Sequence, residues 1–169
     1  MGFKDKLGGN VGNGSGSGYF KPVDFKDAYV LLIEPTRFKA NQPNPFYKPE
    51  YVKDGKTYAA QGKEFRNELI ADITVFGTPE NLEAGVPTQT LNSIVITDTY
   101  LASDLERSVD KVEVARLVQK PNKNPGYKPS WAWSKVEGDN VMTLIGAYYD
   151  AREAELDSAE ADLAAALED

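Results

Sequence analysis

Apolar residues gather along this chain in five short runs and one long periodic tract. The first run, Tyr29 to Phe38, is rich in Tyr, Val, Leu and Ile and predicts a strand, with Pro35 marking a break, bulge or edge position. Leu69 to Phe76 alternates, with Leu69, Ala71, Ile73 and Val75 opposite Ile70, Asp72, Thr74 and Phe76, and predicts a half-buried strand ended by Gly77, Thr78 and Pro79. Thr88 to Thr97 carries Leu91, Ile94, Val95 and Ile96 and makes a third strand. Lys111 to Gln119 makes a fourth, and Trp131 to Val136 a fifth. Between the third and fourth, Tyr100 to Val109 suits a short helix capped by Ser103, with Leu101 and Leu105 on one face. From Asp139, a predicted N-cap, the pattern turns helical, with Val141, Leu144, Ile145, Tyr148, Leu156, Ala159, Leu163 and Leu167 three, four or close multiples apart.

Three stretches interrupt this pattern. Gly8 to Gly18 is glycine except at Asn10, Val11, Asn13, Ser15 and Ser17, which predicts a flexible arm over residues 1–18. It lacks the spacing of a phosphate-binding loop and has no strand before it. Lys39 to Asn67, punctuated by Pro43, Pro45, Pro49, Gly55 and Gly62, reads as a long loop in which Lys53-Asp54-Gly55-Lys56 closes a small hairpin. Lys120 to Ser130, with Pro121, Pro125, Gly126 and Pro129, is a second loop. The chain thus divides into an arm, a domain over residues 19–136 and a C-terminal helix over residues 137–169.

The 169 residues contain no histidine and no cysteine. That excludes imidazole bases, thiol nucleophiles, disulfides and zinc sites built on those side chains. Asp98, Asp104, Glu106 and Asp110 lie close together but flank no glycine-containing calcium loop, and Ser103 and Ser108 have no S-x-x-K spacing. The expectation is a protein that binds rather than catalyses, with no cofactor. The apolar stretches are too short to span a bilayer, and no secretory signal opens the chain, so a cytoplasmic location is expected.

Charge is divided unevenly. Residues 1–136 hold 18 Lys/Arg and 16 Asp/Glu, whereas residues 137–169 hold 1 and 10, so the net charge of −7 belongs to the C-terminal helix. Within the body, Arg37 to Arg66 has seven basic and three acidic residues, and Lys111 to Val136 has six and one. Both segments are also aromatic. Cations for phosphates interleaved with flat rings for unstacked bases are what a single-stranded nucleic acid requires. The candidate contacts are Arg37, Lys39, Tyr47, Lys48, Tyr51, Lys53, Lys56 and Tyr58 in the first segment, and Lys120, Lys123, Tyr127, Lys128, Trp131 and Trp133 in the second.

Strand, long loop, strand, strand, short helix, strand, loop, strand is the order of an OB-fold, a five-stranded barrel that binds oligonucleotides on strands two and three and between the loops joining strands one to two and four to five. The two basic, aromatic segments occupy those loops. The runs Tyr29-Val30-Leu31-Leu32-Ile33-Glu34-Pro35, Ile70-Ala71-Asp72-Ile73-Thr74-Val75-Phe76, Ser93-Ile94-Val95-Ile96-Thr97, Ala115-Arg116-Leu117-Val118-Gln119-Lys120 and Lys128-Pro129-Ser130-Trp131-Ala132-Trp133 together resemble the small OB-fold-like single-stranded DNA-binding proteins encoded by phages of actinobacteria. The resemblance covers residues 28 to 149 and implies a binder without sequence preference, acting in phage DNA replication or recombination beside other replication proteins. It does not extend to the acidic tip with terminal Pro-Phe of bacterial single-stranded DNA-binding proteins, since this chain ends Ala166-Leu167-Glu168-Asp169. A phage particle subunit, a capsid decoration or connector protein, is the alternative that proline-bearing loops and an acidic helix also suit. The acidic helix has two roles open to it, competing with nucleic acid for the basic loops or joining copies into a homo-oligomer.

Overall fold

The computed structural model describes residues 18–61, 63–121 and 129–168. Seven strands and three α-helices follow one another as β1 (Val30–Pro43), β2 (Lys48–Lys53), β3 (Lys56–Gln61), β4 (Phe65–Phe76), α1 (Pro79–Ala84), β5 (Gln89–Ile96), α2 (Thr99–Asp104), β6 (Glu113–Lys120), β7 (Ser130–Lys135) and α3 (Asp139–Glu168). Five strands form one sheet in the order β5-β4-β1-β6-β7, and β2 pairs with β3 in a separate ribbon. Every neighbouring pair in the sheet is antiparallel.

The central strand β1 is buried on both faces. Val30, Leu31, Leu32 and Ile33 are all fully buried, which is why this run is continuously apolar rather than alternating. Leu31 and Ile33 join Leu69, Ala71, Ile73, Leu91, Ile94, Ile96, Leu101 and Leu117 in the larger core on one face. Val30 and Leu32 join Phe76, Leu82, Val114, Val136, Val141 and Ile145 on the other, where the first half of α3 packs. Tyr148 of that helix sets its ring edge-on to Phe76, with centroids 5.2 Å apart.

The sheet is not closed. β5 and β7 are its two edges, and the residues before β1 cross between them. Tyr19 bridges Val95 of β5 in parallel, with Phe20 N–H donating to the Val95 carbonyl at 2.8 Å and Val95 N–H to the Gly18 carbonyl at 3.3 Å. The Phe20 ring then stacks on Phe25 at 4.9 Å and reaches Trp133 of β7 at 5.8 Å. Side chains rather than a ladder span the opening.

Several sequence expectations are corrected here. Lys39 to Asn67 is not a loop: β1 and β4 continue pairing through Lys39↔Glu68 to Pro43↔Phe65. Pro35 marks a bulge, the register shifting between Pro35 and Arg37, and its carbonyl accepts the Asp110 N–H at 3.0 Å. Pro79–Ala84 is a helix that the sequence reading passes over. The Thr78 hydroxyl caps it by accepting the Asn81 N–H at 3.1 Å, and Gly85 ends it at φ 67°. Asp98, not Ser103, caps α2, its carboxylate accepting the N–H groups of Tyr100 and Leu101 at 3.1 Å each. That helix stops at Asp104, and Glu106–Ser108 forms a separate 3₁₀ turn. Asp139 is the first residue of α3. Residues 1–17 of the expected glycine arm lie outside the described residues. Among the described residues no helix is long and apolar enough to cross a membrane.

Candidate nucleic-acid interface

The β1/β6 ladder runs only from Leu31↔Ala115 to Ile33↔Glu113, and the β4/β5 ladder stops at Leu69↔Ile96. Beyond Phe38, therefore, β1 and β4 have only each other as partners, and a two-stranded arm leaves the body. The hairpin β2–β3 continues it. At about 3.3 Å per residue the arm has a contour of roughly 30 Å.

Asn44 joins the two parts of the arm. Its N–H donates to the Glu64 carbonyl at 2.9 Å and its side-chain amide to the Lys63 carbonyl at 3.0 Å, while its own Oδ1 accepts the Phe46 N–H at 3.0 Å. Arg66 fixes the base. Its guanidinium donates to Glu68 Oε2 at 3.0 Å and to the Tyr19 hydroxyl at 3.1 Å, and stands 5.0 Å from the Tyr19 ring centroid and 5.9 Å from that of Phe46. Arg66 is thus one of the seven basic residues of this segment that serves the arm's own structure.

At the far end, Asp54 and Gly55 take φ values of 54° and 74°, the left-handed pair a tight two-residue hairpin turn requires. The register sets Lys53 against Lys56 and Tyr51 against Tyr58, and strand alternation places Lys53, Lys56 and Tyr58 on one face of the ribbon. Two ammonium-bearing residues directly opposed on an exposed ribbon repel one another, and an anion beside them relieves that repulsion. Lys48, Lys53 and Lys56 are exposed, Tyr58 is 40% exposed and Tyr47 is half-buried in the turn before β2. Arg37 is exposed beyond the Pro35 bulge, and Lys39 is half-buried opposite Glu68.

The second group sits elsewhere. Because β6 runs antiparallel to β1, Lys120, opposite Ser130, lies toward the N-terminal end of β1, whereas the arm grows from its C-terminal end. Trp131 and Trp133 stand opposite Gln119 and Leu117 and pack half-buried against the larger core. Trp133 also donates its indole N–H to the Leu101 carbonyl at 3.0 Å, tying β7 to α2. Lys123, Tyr127 and Lys128 lie outside the described residues. The structure therefore collects Lys39, Tyr47, Lys48, Tyr51, Lys53, Lys56 and Tyr58 along one arm with Arg37 at its base, and sets Lys120, Trp131 and Trp133 toward the other end of β1.

Three exposed apolar side chains on the arm stand outside the candidate contacts: Phe46 at 70% exposure and Phe65 at 50%, which belong to the aromatic set of the first segment, and Val52 at 72%. Their chemistry is that of core residues, and only the departure of the arm from the body leaves them in solvent. Arg116, counted among the basic residues of the second segment, donates to the Tyr29 carbonyl at 2.6 Å and lies 4.8 Å from that residue's ring, so its charge is engaged within the body. No protein-family model, curated protein or solved structure matches this chain.

Proposed function

We propose that this chain binds single-stranded DNA without sequence preference, through a cationic and aromatic arm and the β6–β7 end of an OB-like body, in phage DNA replication or recombination within the host cytoplasm. The observation that carries the reading is the Lys53/Lys56 pair at the tip of an arm that also displays Phe46, Phe65 and Tyr58. Cations supply the sequence-independent attraction to phosphate, and rings supply stacking that tolerates any base.

The body supports the reading at a coarser level. An OB-fold is a partly open five-stranded Greek-key barrel. Here a long first body strand is flanked by the second (β4) and the fourth (β6), a helix separates the third (β5) from the fourth, and the Phe20 ring bridges the gap between β5 and β7. The phage assignment comes from the sequence resemblance.

Titration of the purified chain with labelled oligo(dT), duplex DNA and an RNA homopolymer across a salt series tests the reading. The expected result is preference for single strands, with log K falling linearly as log salt rises. Absence of oligo(dT) binding at about 50 mM salt, where such phosphate contacts are strong, overturns it. The exposed end of α3, with Leu163 at 41% and Leu167 at 78% exposure, favours the second reading, a particle assembly subunit.

A further inference from the structure

Two projections leave the body on the same side. Tyr148 of α3 lies against Phe76, which pairs with Val30, and Arg152 one turn later grips Glu34, four residues further along β1. The helix therefore advances in the direction of β1, the strand from whose far end the arm grows.

The helix face that packs on the sheet does not stop where the sheet does. At 100° per residue, Val141, Ile145, Tyr148 and Arg152 share a stripe that continues as Leu156, Ala159, Leu163 and Leu167. Leu156 and Ala159 are half-buried and residues 160–167 are all exposed, so no described residue of the same molecule buries the Leu163 and Leu167 end of the stripe. Glu155 and Asp162 flank it on one side and Glu153 and Glu160 on the other. Residues 153–168 carry six acids and no base. The arm offers the complement: Lys53 and Lys56 exposed on one face of the ribbon, Lys48 and the apolar Val52 exposed on the other, and Arg37 exposed nearer its base.

We infer that two copies of this chain exchange these projections, the acidic end of α3 in each lying on the basic arm of the other. A half-turn between copies sets acid against base twice, which is the closed symmetry most common among oligomers. The lengths agree, since 16 helical residues span about 24 Å and the arm roughly 30 Å. A half-turn makes the contact twice, which doubles the buried area toward the roughly 800 Å² per partner of a stable interface. A symmetric pairing of the leucine stripes instead brings the two acidic flanks together, where like charges repel. The inference stands independently of strand binding.

Sedimentation velocity of the full chain, free of nucleic acid, tests it through a charge exchange. At about 100 µM and about 0.01 M salt the chain is expected to be dimeric, and at about 1 M salt monomeric, since screening shortens the reach of exposed charges tenfold. The E155K/D162K variant and the K53E/K56E variant should each dimerise at least about tenfold more weakly. Mixing the two should restore a one-to-one dimer, because the acidic helix of one meets the basic arm of the other and the reversed pair also matches. The fourfold variant carrying both reversals should dimerise with itself and not with the parent chain. A monomer at every concentration overturns the inference and places any helix–arm contact within one molecule. A dimer indifferent to the arm reversals, or strengthened by salt, overturns it in favour of stripe-to-stripe pairing.

Discussion

Arg152 of α3 holds Glu34 of β1 through both carboxylate oxygens, at 2.8 and 2.9 Å, with the Tyr149 ring 5.0 Å from its guanidinium carbon. Burial alone lowers the basicity of this guanidinium, but the bonds and charge of Glu34 outweigh it and hold its pKa above the ordinary arginine value. A raised value stabilises the fold at every pH below the unfolded one and is lost only as pH climbs past the folded one, far beyond any working buffer. Arg152→Ala should therefore cost about 1–3 kcal/mol at neutral pH, with amide exchange rising first in α3, and alkaline titration to about pH 10 should not reproduce it. Arg152→Lys should restore only part, because a point charge cannot form the fork. Denaturant unfolding with hydrogen exchange provides the measurement.

The arm tip gives a second expectation. Lys53→Ala and Lys56→Ala should each lessen the slope of log K against log salt by about 0.7 on oligo(dT), whatever the base. Thermal stability should hold or rise slightly, since either change removes a like-charge pair. A loss of affinity with an unchanged slope counts against phosphate contact there.

Gly55→Val separates the arm's shape from its charge. A β-branched residue at φ 74° strains the turn, yet the strain can be relieved by unzipping a ribbon that the body does not support. The unfolding midpoint should stay nearly fixed while affinity for single strands falls.

The tryptophans should divide. Trp133→Phe leaves the Leu101 carbonyl without its indole donor and should cost about 1–3 kcal/mol, with strand binding preserved in the folded fraction. Trp131→Phe should leave stability nearer the parent and abolish most of any fluorescence quenching by oligo(dT). Quenching that survives in Trp131→Phe removes Trp131 from the interface.

Removing residues 154–169 deletes six acids and no base while keeping the Arg152–Glu34 bridge. Affinity for single strands should rise at low salt and converge with the parent at high salt. Anisotropy titration at several salt concentrations measures both. Equal affinity at all salts shows that the helix end does not compete with nucleic acid.

The body strands were legible because burial wrote itself into Val30 to Ile33 and into the alternation of Leu69 to Phe76. The arm was not. In Lys39 to Pro43 no side chain is buried, so no apolar period marks a strand held by its hydrogen-bonded ladder to Phe65 to Glu68. Of that segment only the Asp54-Gly55 turn was visible, since its chemistry is local. The helix after Thr78-Pro79 carried its cap in plain view, but six residues gave too little periodicity to read beyond the break. For the candidate site the residue types were legible and their distances were not. Nothing in Arg66 or Arg116 marks a cation engaged within its own molecule, and nothing in the order of loops reveals that Lys120 and the arm leave opposite ends of β1.

The short parallel segment beside β5 has a consequence for handling the protein. The Phe20 N–H occupies the Val95 carbonyl and the Gly18 carbonyl the Val95 N–H, groups that would otherwise be open for pairing with a foreign strand. A chain cut back past Phe20 loses that cover and the ring between Phe25 and Trp133 together, leaving a bare apolar edge that templates aggregation. Trimming past Gly18 thus removes an edge cover, and a chain shortened that far that precipitates reports on an unprotected sheet rather than on a failed fold.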